Sequence, residues 1–169
     1  MKFMVFDSNS ILNRSFYGMP PLTTADGQPT GAVYGFLNIV LGLIEKERPD
    51  CVAAAFDMRE KTFRHMKYDQ YKATRKGMPD ELASQMTVAK EALQLLRIPI
   101  VEKPGFEADD IIGTFTDRYS QDGHDCIIVT GDRDSFQLIG GNTQVWFTKK
   151  GISETEKLDE AALRERYGL

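Results

Sequence analysis

Five short apolar runs, KFMVF, CVAAAF, IPIVE, HDCIIVT and TQVWFT, recur along the chain with longer helix-patterned segments between them. Each run suits a buried strand and is too short for a globular helix. Between the runs, SILNRSFYG reads as a helix with Ser8 or Ser10 as its cap. Turn chemistry at Asp26, Gly27 and Pro29 precedes a Thr30 cap and a long helix that stops before Pro49. PDELASQMTVAKEALQLLRI starts at Pro79 with amphipathic spacing, EADDIIGTFTDRYSQDG opens on acids and stops at Gly123, and DEAALRERYG is a last helix. Strands that alternate with helices need right-handed crossovers. The expected fold is therefore α/β, a mainly parallel sheet with helices on both faces.

At 169 residues the chain is one domain, and 41% hydrophobic with 27% charged residues is the balance of an ordinary globular protein, so disorder is excluded. The amino terminus carries no signal-type apolar region, and no apolar run has the length of a bilayer span, which gives a cytoplasmic expectation with no membrane partner. Cys51 and Cys126 each begin an apolar run without a CxxC partner and read as reduced, buried, structural thiols. The net charge of −4 is unevenly spread: Arg59 to Lys76 holds seven Lys or Arg against two acids, a local +5, so the remainder sums to −9. A charge run is most often a solvated helix face. Here Phe63, Tyr68 and Tyr71 are interleaved with the cations, and that pattern suits a polyanion with bases to stack.

Seven acids follow the strand runs: Asp7 after the first, Asp57 after the second, Glu107, Asp109 and Asp110 after the third, and Asp132 and Asp134 after the fourth, in IIVTGDRDSFQLI. In a parallel α/β sheet these positions lie along one edge, where ligands bind. Any single acid there can be a helix cap or turn residue. Together, such carboxylates repel and raise each other's pKa unless a cation neutralises them. An all-oxygen donor set suits Mg²⁺ or Mn²⁺ rather than zinc, and His65 and His124 lie away from it in sequence. Hard cations held by carboxylates point to phosphodiester chemistry. An Asp-based phosphotransfer domain also puts Asp at strand ends. The dehalogenase type of such a domain needs an acid at position 9, which is Asn9, and the receiver type needs paired acids near the first strand.

DSNSILNRSFYG, LTTADGQPTGAVYGF, FDMREKTFRHMKYDQYKATRKGMPDEL, GFEADDIIGT and VTGDRDSFQLI together resemble successive blocks of the 5′-nuclease (5′-3′ exonuclease) domain of bacterial DNA polymerase I and the flap endonuclease family. The resemblance implies a PIN-like or resolvase-like three-layer core over residues 1–169, with a basic helical-arch segment, 58–80, inserted after the second strand. It implies two Mg²⁺ or Mn²⁺ ions, with Asp7, Asp57, Glu107 and Asp109 serving mainly the first, Asp132 and Asp134 the second, and Asp110 in the same ligand set. Lys72 and Arg75 match basic residues expected at the scissile phosphate, so the implied catalytic group is Lys72, Arg75, Asp7 and Asp57. Arg14, Arg64, Lys67, Tyr71 and Lys76 join Lys72 and Arg75 as implied DNA contacts. The implied activity is structure-specific hydrolysis of DNA at a 5′ flap, a nick or a 5′ end beside a duplex, in replication and repair. The implied partners are that DNA and the polymerase portion of a longer chain, for a monomeric cytoplasmic protein at the nucleoid. Two positions depart from the family pattern, where Ser8 replaces a usual Gly and Asn13 a usual Tyr. In the family a helix-three-turn-helix segment that grips duplex DNA follows RYGL. Its absence here leaves a second expectation, an incomplete domain that binds metal and branched DNA without cutting.

Overall fold

The computed structural model describes residues 1–58, 60, 62–68, 77–149 and 155–168. Along the chain come β1 (Lys2–Asp7), α1 (Ser8–Gly18), α2 (Gly31–Glu47), β2 (Cys51–Ala55), α3 (Phe63–Lys67), α4 (Asp80–Leu95) and β3 (Ile100–Val101). They are followed by α5 (Ala108–Gln121), β4 (Asp125–Thr130), a 3₁₀ helix (Arg133–Leu138), β5 (Thr143–Thr148), β6 (Thr155–Leu158) and α6 (Glu160–Tyr167).

Alternation along β1 sets the layers. Met4 and Phe6 face one side of the sheet and pack with Ala54, Ile127 and Val129 against Leu12 of α1, Phe36 and Val40 of α2, and Leu93 of α4. Phe3 and Val5 face the other side and pack with Ala53, Cys126 and Ile128 against Ile111 and Ile112 of α5. Strands buried on both faces have no polar face to alternate with, which is why KFMVF and DCIIVT read as near-continuous apolar runs. The two helical layers meet the sheet as expected for a three-layer α/β domain.

The sheet order is β3-β2-β1-β4-β5-β6. The chain runs outward from β1 to β2 and β3, then returns to the other side of β1 for β4 and β5. The crevice between the carboxyl ends of β1 and β4 is thus the point where the winding reverses, the place where sheets of this kind bind ligands. Phe6 pairs with Val129 and Asp7 with Ala55, so Asp7 stands level with Thr130 at that crevice.

The sheet is mainly parallel, as expected, and several details differ. β6, which no apolar run announced, pairs antiparallel to β5 through Val145 with Leu158 and Trp146 with Lys157. As an edge strand it is mostly polar: Thr155 and Glu156 are half-buried, Lys157 is exposed, and only Leu158 is buried. The α1 cap is Asp7, whose side chain accepts the Ser10 N–H, rather than Ser8 or Ser10. Thr30 occupies the cap position of α2 without a side-chain capping bond, and the third strand contracts to Ile100–Val101. Cys126 is buried, but Cys51 is only half-buried. Of the expected arch over 58–80, α3 is described, whereas Tyr71, Lys72, Arg75 and Lys76 lie outside the described residues. No helix among the described residues is long and apolar enough to cross a membrane.

Candidate metal centre

Six of the seven expected acids line one cleft of about 660 Å³ at the carboxyl edge: Asp7, Asp57, Glu107, Asp109, Asp132 and Asp134. They arrive from the ends of β1, β2 and β4 and from the start of α5, so the topology, not local sequence, brings them together. Asp7 and Glu107 are buried, Asp132 is half-buried, and Asp57, Asp109 and Asp134 are exposed. The seventh acid, Asp110, does not line this cleft. It lines an adjoining groove with Arg64, Asp109 and Asp134.

Asp7 is the anchor of the cleft. Its side chain accepts the Thr130 hydroxyl at 2.6 Å and the Ser10 N–H at 3.2 Å. Burial pushes its carboxyl from an ordinary 3.8 up to about 7, the negative charges of Asp109 and Asp57 push the same way, and the bonds from Thr130 and Ser10 oppose them. A carboxylate so placed tends to keep its proton up to about pH 7 unless a positive charge stabilises its anion. Thr130 in turn accepts the Asp132 N–H at 2.9 Å, and Asp132 Oδ1 accepts the Asp134 N–H at 3.0 Å, which caps the 3₁₀ helix. The three acids are linked through one hydroxyl.

Asp57 sits at the start of α5. Its Oδ1 accepts the Ala108 N–H at 2.6 Å, where the helix dipole favours a negative charge, and its own N–H donates to Asn9 Oδ1 at 2.9 Å. Glu107 forms a capping box with Asp110. Arg14 donates to the Gly131 carbonyl at 2.8 Å and lies 4.8 Å from the centre of the Phe147 ring, which fixes a cation in the cleft wall. Ser10 Oγ accepts the Gly131 N–H at 2.9 Å. A Cβ at Gly131 would come to 3.0 Å from Arg14 and from Ser10 and 3.1 Å from Thr148, so a side chain in the turn between β4 and the acids would make these three neighbours give way by a few tenths of an ångström.

Among the described residues, no three carboxylate, imidazole or thiol groups converge tightly enough to cage an ion. The donor set nonetheless fits a hard divalent cation, because Mg²⁺ takes few carboxylates and keeps several of its waters. The buried, destabilised Asp7 anion is the second sign of fit. Among the described residues, neither His nor Cys lines the cleft.

Residues 2–168 match the family described as 5′-3′ exonuclease, N-terminal resolvase-like domain. The chain belongs to this family. It is 43% identical to DNA polymerase I of Caldicellulosiruptor bescii over its whole length, and 42% identical to that of Mycobacterium tuberculosis over 98% of it. It spans about a fifth of the length of those polymerases, 20% and 19%. A 5′-3′ exonuclease of Aquifex aeolicus is 43% identical over 83% of the chain, which covers 49% of that protein. In three dimensions the fold matches the T5 5′-exonuclease with bound divalent zinc at a TM-score of 0.75 and 15% identity, covering 100% of this chain and 62% of that one. It also matches human GEN1 in complex with Holliday junction DNA, at 0.56 and 14% identity, covering 99% and 41%.

Within this exonuclease-family domain, several cleft residues were not legible as functional. Asn9, Thr130 and Gly131 position the acids, as does Ser10, which the sequence offered only as a helix cap. Tyr17, 70% exposed, lines the cleft one helical turn beyond Asn13. Turn spacing and a TG dipeptide hint at Thr130 and Gly131, but nothing local marks the others. Lys67 is exposed on α3, away from the cleft lining.

Proposed function

We propose that this chain is the divalent-metal-dependent 5′-nuclease domain of a longer, DNA polymerase I-like protein, and that it hydrolyses DNA phosphodiester bonds at 5′ flaps, nicks and 5′ ends beside duplex. The observation that carries this reading is the convergence of six carboxylates from four chain segments on one cleft, with a buried acid at its base. Family membership supports it. On this reading Asp7, Asp57, Glu107 and Asp109 would hold one cation, and Asp132 and Asp134 a second. When bound, Mg²⁺ or Mn²⁺ supplies an activated water and stabilises the leaving oxygen.

The chain's own residues do the rest. Thr130 and Ser10 hold the Asp7 carboxylate in one orientation, and the Ala108 N–H does the same for Asp57. Arg14, fixed by Gly131 and Phe147, offers a positive charge to a backbone phosphate without reorganisation. Lys72 and Arg75, in the basic arch segment over 58–80, are assigned to the scissile phosphate, with Tyr71 and Lys76 beside them. The protein acts as a cytoplasmic monomer on DNA.

Cleavage of a labelled 5′-flap duplex by this chain in Mg²⁺ or Mn²⁺ tests the reading, with an EDTA control and Asp132→Asn alongside. Metal-dependent product that the variant loses is expected. Binding of the flap without product would favour an incomplete nuclease core, and neither binding nor product would remove the reading.

A further inference from the structure

Asp109 and Asp110 are neighbours in sequence with different surroundings. One residue turns a helix by about 100°, and that step carries Asp110 out of the acidic cleft to face α3. Both Asp110 oxygens accept from Arg64: Nη1 donates to Oδ2 and Nη2 to Oδ1, each at 2.7 Å. Asp110 Oδ2 also accepts the Glu107 N–H at 3.0 Å, and Arg64 Nη1 stands 3.7 Å from Glu107 Oε2. The parallel fork is the strongest geometry available to an arginine and a carboxylate, and a lysine cannot reproduce it.

The same two segments are joined elsewhere. The Phe63 N–H donates to the Gly105 carbonyl at 2.9 Å, the Phe63 ring lies 5.6 Å from that of Phe106, and the Arg64 guanidinium lies 4.6 Å from the Phe63 ring. Arg64 is therefore built into the start of α5. Its two forked donors point at a protein carboxylate instead of a DNA phosphate.

We propose that Asp110 is the receptor of Arg64 and not a cation ligand, and that the pair is a positioning device for Glu107 and Asp109. It locks the first turn of α5, from which those two acids enter the cleft, onto the base of the basic segment. It also neutralises a seventh carboxylate that would otherwise add its charge beside the other six. This assignment rests on the divalent-cation reading of the cleft.

The test is Mn²⁺ uptake, followed by the electron-paramagnetic signal of the free ion, together with melting in EDTA. Both are measured on this chain and on Asp110→Asn, Asp109→Asn, Arg64→Ala and the Arg64→Ala, Asp110→Asn double variant. Asp110→Asn and Arg64→Ala should weaken Mn²⁺ binding alike, each by about threefold, because each loosens the turn that carries Glu107 and Asp109, while Asp109→Asn weakens binding by at least about tenfold, as loss of a ligand requires. Arg64→Ala should lower the melting temperature by removing the guanidinium that faces both oxygens of the half-buried Asp110, and adding Asp110→Asn should recover part of that loss. Equal Mn²⁺ loss in the two Asn variants would overturn the proposal, as would a melting loss in the double variant equal to the sum of the singles. No uptake by the parent would instead sink the cation reading itself, while the melting cycle would still decide whether Arg64 and Asp110 are coupled.

Discussion

Two clefts of similar size open at opposite ends of the sheet, about 660 Å³ at the carboxyl edge and about 690 Å³ at the amino edge, and both are lined by acids. At the amino edge Glu47 meets two lysines, standing 3.8 Å from Lys2 Nζ and 3.3 Å from Lys157 Nζ, while Asp159 caps α6 by accepting the Ala162 N–H at 2.8 Å and Glu160 accepts the Gly141 N–H at 3.3 Å. At the carboxyl edge the most buried acid, Asp7, is bonded to neutral donors and crowded by Asp109 and Asp57. Acids at a strand end are thus not a signal in themselves. What separates the two edges is whether the chain supplies the balancing charge or leaves that to a bound cation.

The comparison can be broken at either edge. The largest effect should come from Asp132→Asn combined with Asp134→Asn, which should lower flap cleavage by more than about 100-fold, since even the outer partners of metal ligands cost about 10- to 100-fold. Steady-state cleavage in saturating Mg²⁺ measures it, and activity within tenfold of the parent would remove these acids from the centre. Next is Gly131→Ala, which forces Arg14, Ser10 and Thr148 apart and should cost about 1–3 kcal/mol in chemical denaturation. Stability equal to the parent would show that the turn tolerates a side chain and that Arg14 is not held as described. The smallest effect belongs to the amino edge: Glu47→Gln should change stability by less than about 1 kcal/mol, as expected for surface pairs, and leave cleavage unaltered. A large loss of cleavage there would erase the distinction between the two edges.

Much of this was legible because strand ends are legible. The apolar runs located β1, β2, β4 and β5, and the acids that follow them fall on one edge wherever the connections are right-handed crossovers. β6 was not, because TEKL is an edge strand held by pairing with β5 and by Lys157, whose Nζ lies 4.0 Å from the centre of the Trp146 ring. The direction of Asp110 was not, because adjacent helix positions diverge and its partner Arg64 lies 46 residues away. Ser10 and Thr130 were not read as positioning residues, because their bonds to Gly131 and Asp7 span 121 and 123 residues. Local pattern reports which residues cap or pack, and it cannot report which hydroxyl orients a carboxylate across the sheet.

Asp7 carries the central claim, and melting of this chain with and without Mg²⁺, beside Asp7→Asn, tests it most directly. In EDTA the folded chain holds its Asp7 proton up to about pH 7, whereas the unfolded chain releases it near 3.8. Stability of the parent should therefore fall as pH rises from about 4 to 7 and stay low above that, where the anion is buried without a cation. Asp7→Asn escapes this loss, so at pH 8 in EDTA it should be more stable than the parent by roughly 2–4 kcal/mol, and the gain should vanish near pH 4. Mg²⁺ should raise the melting temperature of the parent and leave that of Asp7→Asn nearly unmoved. A variant less stable than the parent at pH 8 in EDTA, or one that Mg²⁺ stabilises as much as the parent, would contradict the account.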